Sequence, residues 1–188
     1  MPLKKDEVWN SITHSFSLGY SSFSFIYFDS FSIKLLSLFL IIVFTLSTLY
    51  HSETNLERKR FFRILDMSSI HLLIPATAAA YSIQSGYNHY YLFVILAVIF
   101  SSYVLLFNNT PLLADTMVKS CVLSGSISST LFLLSFPSLN LLLNFFLGAL
   151  IYICGIYFYI KDDDRKFFHT IWHAFVIVGS ITHINGLT

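Results

Sequence analysis

Long stretches without any charged residue alternate with short charged segments along this chain. Five stretches contain no Asp, Glu, Lys or Arg: Val8–Phe28, Leu35–Ser52, Met67–Ala114, Ser120–Ile160 and Phe167–Thr188. One helix that crosses a bilayer needs about 20 mainly apolar residues. The third and fourth stretches are long enough for two crossings each, with polar breaks at residues 85–89 and 135–140. The pattern therefore predicts seven membrane-spanning segments.

The apolar segments have the sequence character of helices. A membrane β-strand alternates polar and apolar residues over about ten positions, whereas the runs LSLFLIIVF and YYLFVILAVIF show no alternation. Backbone groups in lipid must be hydrogen-bonded internally, which an uninterrupted apolar run achieves as a helix. We predict helices over residues 8–28, 33–51, 63–84, 88–107, 114–134, 139–160 and 166–185.

Composition indicates the same class of protein. Hydrophobic residues make up 55% of the 188 residues and charged residues 11%, against about 25% charged in soluble domains. A chain of this size in water could not bury so much apolar surface. We therefore expect an all-α integral membrane protein, a seven-transmembrane-helix bundle with a single domain over residues 1–188. The net charge of +1 gives no indication of nucleic-acid binding, so membrane lipids are the expected partners.

The basic residues predict the orientation of this bundle. With seven helices, the N-terminus and the second, fourth and sixth loops share one side of the membrane. Ten of the 11 Lys and Arg residues fall on that side: Lys4, Lys5, Arg58, Lys59, Arg60, Arg63, Lys119, Lys161, Arg165 and Lys166. Cytoplasmic loops carry an excess of Lys and Arg. We therefore expect a cytoplasmic N-terminus and an outward C-terminus, in the inner (plasma) membrane of a bacterium.

Four polar side chains interrupt the apolar segments on this predicted cytoplasmic side. His51 ends the second segment, Asp66 begins the third, and His169 and His173 lie one turn apart at the start of the seventh. At a rise of 1.5 Å per residue, the four lie within about 10 Å of depth of one another. Ionisable groups within a membrane are costly and usually have a partner. The sequence therefore predicts that these side chains meet at one site.

Three histidines with an open position indicate catalytic zinc, which neutral imidazole binds well. Asp66 could reach the metal through a water molecule and take a proton from it. Ser47 lies four residues before His51 on the same helix face, where it could orient a substrate carbonyl or support a ligand. Two alternatives stay open: each histidine is a hydrogen-bonded core residue, and Asp66 forms an ion pair with Arg63 or Arg60.

The other four histidines, His14, His71, His89 and His183, are weaker candidates. His14 lies in the cytoplasmic half of the first segment and could line the same cavity, although packing or hydrogen bonding is the simpler role. His183 lies about 15 Å beyond His173 along the seventh helix. We interpret it as structural or interfacial.

Four short motifs occur in a defined order along the chain. Asn10–His14 has the pattern N-x-x-x-H, Ser47–His51 the pattern S-x-x-x-H, Leu65–Ile70 contains the aspartate, and His169–His173 has the pattern H-x-x-x-H. In this order and spacing they resemble the hemolysin III branch of the progestin and adipoQ receptor family, a family related to alkaline ceramidase-type membrane hydrolases. One departure is the segment Pro75–Ala80, which stands where bacterial members usually continue with AGTYTP.

The resemblance implies zinc held by the residues that match His51, His169 and His173, with Asp66 reaching the metal through water. It also implies an inward N-terminus. Our first hypothesis is a zinc-dependent hydrolase that cleaves a lipid amide or ester with zinc-activated water. The alternatives are a membrane-permeabilising, cytolytic protein, as the name of the branch suggests, and a receptor for a small lipid.

Overall fold

The computed structural model of the protein describes residues 5–107, 113–162 and 165–188; Lys4, counted above for orientation, lies outside them. The described residues form seven α-helices and no strand. The helices are α1 (Lys5–Tyr27), α2 (Phe31–Ser52), α3 (Leu56–Gln84), α4 (Tyr91–Phe107), α5 (Leu113–Leu133), α6 (Leu139–Ile160) and α7 (Phe168–Leu187). The predicted number of helices and their order are confirmed.

Both polar breaks predicted inside the long apolar stretches separate two helices. Between α3 and α4 the chain turns at Gly86, whose φ of 83° is accessible to glycine at little cost. Between α5 and α6, the Ser138 side chain accepts a hydrogen bond from the Leu141 amide and caps the start of α6. Turn and capping residues therefore divide runs that hydropathy alone leaves continuous.

Helix α3 begins at Leu56, well before the predicted start at residue 63. The Asn55 side chain caps it by accepting hydrogen bonds from the amides of Glu57 and Arg58. Glu57 in the first turn also interacts favourably with the helix dipole. The apolar pattern predicts only the part of a helix that lies in lipid. It therefore missed the first two turns of α3, which are charged.

Among the described residues, three helices are long and apolar enough to cross a membrane, namely Phe31–Ser52, Leu56–Gln84 and Leu139–Ile160. Shorter apolar helices cover Tyr91–Leu106 and Met117–Leu133. Large apolar side chains on α4 and α6 are exposed, among them Val94, Val98, Leu143, Leu147 and Leu150. A continuous apolar surface of this kind would cause aggregation in water, whereas lipid solvates it. The chain is therefore a membrane protein.

Helix α3 is the centre of the bundle. It packs against α2, α4 and α5 and also touches α6 and α7, and its segment 75–82 is buried throughout. Helices α6 and α7 form a closely packed hairpin, and α1 packs against α2 and α7. Helices α5 and α6 both reach α3 but, in the described ranges, have few contacts with each other. The hairpin is thus joined to the rest of the bundle through α1, α2 and α3.

Helix α1 buries a polar stripe against the bundle. Asn10, His14, Ser17, Ser21 and Ser24 are each at most 4% exposed and recur at spacings of three and four residues, which is one face of a helix. The Ser17 and Ser24 hydroxyls donate to backbone carbonyls one turn earlier. Small side chains on this face let neighbouring helices approach closely, although the buried Ser21 hydroxyl has no hydrogen-bond partner among the described residues.

Glycines allow α6 and α7 to approach each other. A Cβ added at Gly148 would lie 2.5 Å from the His183 ring, and one added at Gly179 would lie 2.6 Å from the Tyr152 ring. His183 is 2% exposed, and its ring packs edge-on or tilted against the rings of Tyr81, Phe145 and Tyr152. It has little room to withdraw, so the crossing depends on the absence of a side chain at Gly148.

Gly148→Ala is expected to destabilise the folded protein by about 1–3 kcal/mol, the usual cost of overpacking a filled interior. Thermal unfolding in detergent measures this effect. Gly19→Ala is the matched control, because no heavy atom lies within 4 Å of a Cβ at that position. Equal losses of stability in the two variants would contradict a close α6–α7 crossing.

Candidate metal centre

Three histidines from two helices meet at one point. His51 comes from the last turn of α2, and His169 and His173 come from the first two turns of α7. Their ligating nitrogens all lie within 4.8 Å of one another. The ring centroids are 5.0, 4.9 and 4.6 Å apart, which is nearly an equilateral triangle. One ion is therefore within reach of all three imidazoles.

Local helix geometry explains the arrangement. Residues four apart on a helix project from the same face, so His169 and His173 present their rings side by side. His51 and His173 are each 2% exposed, whereas the His169 side chain is 21% exposed. The cluster is thus closed on its inner side and accessible on the side of His169.

Each ring uses Nδ1 for a contact outside the cluster. The Nδ1–H of His51 donates to the Glu7 carboxylate at 2.5 Å, and that of His169 donates to the Asp162 carboxylate at 2.7 Å. Nδ1 of His173 lies 3.5 Å from the Thr13 hydroxyl oxygen. The Thr13 O–H itself donates to backbone carbonyls, which leaves its oxygen to accept from the ring. A carboxylate can only accept, so the contacts with Glu7 and Asp162 assign the proton of His51 and His169 to Nδ1 and leave the lone pair of Nε2 available on these two rings.

The cluster fits a metal ion. Nε2 of His51 is buried and has no hydrogen-bond partner among the described residues. A buried polar atom without a partner is unusual in a folded protein, and a coordinated ion would satisfy it. Neutral imidazoles suit late first-row transition metals, zinc included. The three histidines are therefore close enough, and chemically suited, to hold one ion.

Asp66 and Ser47 lie beside this cluster. Asp66 is outside the set of mutually close ligand atoms but lies next to the Ser47 hydroxyl and near His169. Ser47, one turn before His51, is 1% exposed. Within the described part of the chain, Asp66 forms no ion pair with Arg63 or Arg60.

His14 and His183 are buried outside the set of ligand atoms. The His14 ring lies 3.7 Å from the His173 ring, centroid to centroid, and meets Phe44 edge-on at 5.2 Å. It is buried next to the cluster without belonging to the set of ligand atoms. His183 is buried farther along α7, where its carbonyl accepts a hydrogen bond from the Tyr81 hydroxyl. The packing of His183 agrees with a structural role, whereas both ring nitrogens of the buried His14 have no hydrogen-bond partner among the described residues.

Sequence reasoning missed the two carboxylates that contact the imidazoles. Glu7 precedes Asn10 by three residues and His14 by seven, so it continues the polar stripe of α1, and that spacing could have indicated it. Asp162 is one of three consecutive aspartates in the sequence. Nothing in that run distinguishes the residue that turns back toward His169.

Similarity to known proteins covers the whole site. The sequence pattern of the family described as "Haemolysin-III related" matches residues 4–184, a range that includes Glu7 and all three clustered histidines. A "Hemolysin-3 homolog" from Bacillus subtilis (strain 168) is 30% identical over 200 residues. That alignment covers 94% of this chain and 90% of the Bacillus protein.

Proposed function

This chain belongs to the haemolysin-III-related family of membrane proteins, and from that premise we propose that it is an intramembrane zinc-dependent hydrolase of a lipid amide or ester. The observation that carries the proposal is the triangle of His51, His169 and His173, closed on its inner side, with a carboxylate and a hydroxyl next to it. Three protein ligands with an open position are typical of catalytic zinc sites, whereas structural zinc sites use four protein ligands.

The proposal includes seven membrane crossings with a cytoplasmic N-terminus. Its support is the distribution of Lys and Arg, ten of 11 on one side. The histidines lie at the end of α2 and the start of α7, next to that basic side. The site would then lie just below the headgroups of the inner leaflet, and the bacterial relative favours the plasma membrane of a bacterium.

His51, His169 and His173 would hold the zinc ion through Nε2, because their Nδ1 atoms have other contacts. When bound, zinc would polarise the substrate carbonyl and acidify a water molecule. The chain's own residues would position the substrate and move the proton.

Asp66 is the proposed general base. Its carboxylate lies near His169 and can accept the proton that a water molecule releases as it adds to the carbonyl carbon. The adjacent Ser47 hydroxyl can hold that carboxylate in place or donate a hydrogen bond to the substrate oxygen. Ser47 and Asp66 come from α2 and α3, so packing of these two helices sets their separation.

A lipid could reach the site without leaving the bilayer. In the described ranges α5 and α6 hardly touch each other, and both flank α3, which carries Asp66. Helix α6 also packs against α7, which carries His169 and His173. An opening between α5 and α6 would therefore lead from the acyl chains toward the carboxylate and two of the imidazoles.

Metal removal tests the proposed activity. We expect protein in liposomes to hydrolyse members of a panel of lipid amides and esters, to lose this turnover after chelator treatment, and to regain it when zinc is added back, because the open coordination position is needed for catalysis. Mass spectrometry of the released fatty acid or amine measures turnover. Turnover by protein shown to be free of metal would contradict a zinc mechanism, and no turnover of any lipid by zinc-loaded protein would contradict hydrolysis.

Membrane permeabilisation is the second candidate function, and the name of the Bacillus relative favours it. A receptor for a small lipid is a third candidate, and its ligand would enter from the bilayer by the same route. Dye leakage from liposomes separates the first two. Leakage caused equally by wild-type protein and the His169→Ala/His173→Ala variant, in the absence of lipid turnover, would support permeabilisation over hydrolysis.

A further inference from the structure

Two of the three clustered imidazoles are each held from behind by a carboxylate. Glu7 contacts Nδ1 of His51, and Asp162 contacts Nδ1 of His169. We propose that Glu7 and Asp162 are positioning residues of the metal centre, which fix the orientation and the tautomer of these two rings and thereby set metal affinity. This inference rests on the metal centre of the proposed function and adds two residues to it.

The physical basis is the hydrogen bond on the far side of each ring. An imidazole whose Nδ1–H donates to a carboxylate has its tautomer fixed, and the electron density that the anion contributes makes Nε2 a better donor to a metal. The ring also loses rotational freedom before an ion arrives, so less entropy is lost on binding. Removing such a partner typically weakens metal binding about 10–100-fold.

Glu7 is itself held in place by a second contact. Its other carboxylate oxygen lies 3.0 Å from Nζ of Lys59, and that ammonium also donates to the Tyr50 carbonyl at 3.2 Å. Residues from α1, α2 and α3 thus meet around one carboxylate immediately behind His51. Glu7 is only 23% exposed, so solvent screens its interaction with the ring weakly.

Asp162 reaches the cluster from the connection between α6 and α7. It follows the end of α6 at Ile160 and contacts His169 in the first turn of α7. At 37% exposure, its carboxylate is more accessible to water than that of Glu7. We therefore expect a smaller effect from Asp162 than from Glu7.

A purely structural role is the competing explanation. Both carboxylates could simply join neighbouring segments through ion pairs and contribute to stability whether or not a metal is bound. The two explanations predict different effects when Glu7 or Asp162 is replaced by its neutral amide. A positioning role predicts weaker metal binding with little change in the stability of the metal-free protein, and a structural role predicts the reverse.

The experiment measures zinc affinity by competition with a chromophoric chelator, using full-length protein in detergent. Glu7→Gln is expected to weaken zinc binding at least about tenfold, and Asp162→Asn by a smaller factor, within the range for such partners. Glu53→Gln is the matched control, because Glu53 lies at the same edge of the bundle but pairs with Arg58 and contacts none of the histidines. Its zinc affinity should equal that of the wild type.

Lys59→Met isolates the contact between Glu7 and His51 from the ion pair between Glu7 and Lys59. It removes the ammonium and leaves the carboxylate facing the ring, so it should weaken zinc binding less than Glu7→Gln. Unfolding temperatures in the presence of chelator provide the second measurement. They should be similar for Glu7→Gln, Asp162→Asn and the wild type if these carboxylates act mainly through the metal.

Three results would overturn the proposal. Unchanged zinc affinity in both carboxylate variants, with normal binding by the wild type, would remove the positioning role alone. A lower unfolding temperature of the metal-free Glu7→Gln and Asp162→Asn proteins, with unchanged affinity, would assign these residues to stability. Absence of zinc binding by the wild type would instead remove the proposed metal centre, and this inference with it. Asp162→Asn lies on an exposed connection, so the test stands even if Glu7→Gln does not fold.

Discussion

His51→Ala is expected to remove zinc from the purified protein. The triangle contains three imidazoles, of which His51 is the one supplied by α2, and no fourth side chain of the described residues belongs to this set of mutually close ligand atoms. Zinc-finger peptides bind their structural zinc with about 10–16 kcal/mol in total. Loss of one of three ligands should cost at least about 3 kcal/mol, which is more than a hundredfold in affinity. Metal analysis of protein purified in detergent measures the loss, and His173→Ala should behave in the same way.

His89→Ala is the control for these variants. His89 is exposed in the connection between α3 and α4, outside the cluster. Its replacement should leave the zinc content unchanged. Undiminished zinc in the His51→Ala, His169→Ala and His173→Ala proteins would show that the ion binds elsewhere and would remove the basis of the hydrolase proposal.

Asp66→Asn is expected to lower lipid turnover by about 10²–10⁴-fold, the usual contribution of a general base. Asparagine has nearly the same shape and can still bond to Ser47, but it cannot accept a proton. Because Asp66 is outside the set of mutually close ligand atoms, zinc content should be retained. The two measurements together separate loss of a base from loss of the metal.

Glu57→Gln provides the comparison for Asp66→Asn. Glu57 lies on the same helix, in its exposed first turn, and removing its charge should leave turnover unchanged. Equal turnover by the wild-type and Asp66→Asn proteins would exclude Asp66 from the mechanism. Loss of turnover together with loss of zinc would instead give the carboxylate a role in holding the ion.

Hydropathy predicted the helices well because lipid imposes a single requirement on every crossing, a continuous apolar run of sufficient length. It failed where a helix extends beyond that run. Helix α3 begins two charged turns before its apolar part because Asn55 satisfies the first amides. Capping is a hydrogen-bonding effect of one side chain, to which a hydropathy average is insensitive.

The histidines of the site were predictable for a different reason. Helical periodicity places His169 and His173 on one face, and a count of residues places His51 at the same depth. Depth, however, does not fix how far each helix is rotated about its own axis. Only the packed structure shows that Ser47 and Asp66 lie side by side.

Glu7 and Asp162 were missed because a charged residue at the end of a helix can have either of two roles, and the sequence does not distinguish between them. Such residues mark the edge of the membrane, and they can also turn inward to contact a buried ring. Glu7 could have been recognised from its register with Asn10 and His14, which continue the same face of α1. The direction of Asp162 depends on the fold of the connection after α6, which no periodic pattern describes.

The three imidazoles come from α2 and from the α6–α7 hairpin. A metal ion bound to all three would therefore raise the stability of the folded protein. The unfolded chain has no assembled site, so an ion that binds only the folded form stabilises it by mass action. Each tenfold increase of free zinc above the dissociation constant adds about 1.4 kcal/mol to the free energy of unfolding. If the bound ion is the zinc proposed above, the protein would therefore be shorter-lived in a cell short of zinc, since the metal-mediated link between α2 and the hairpin would be lost.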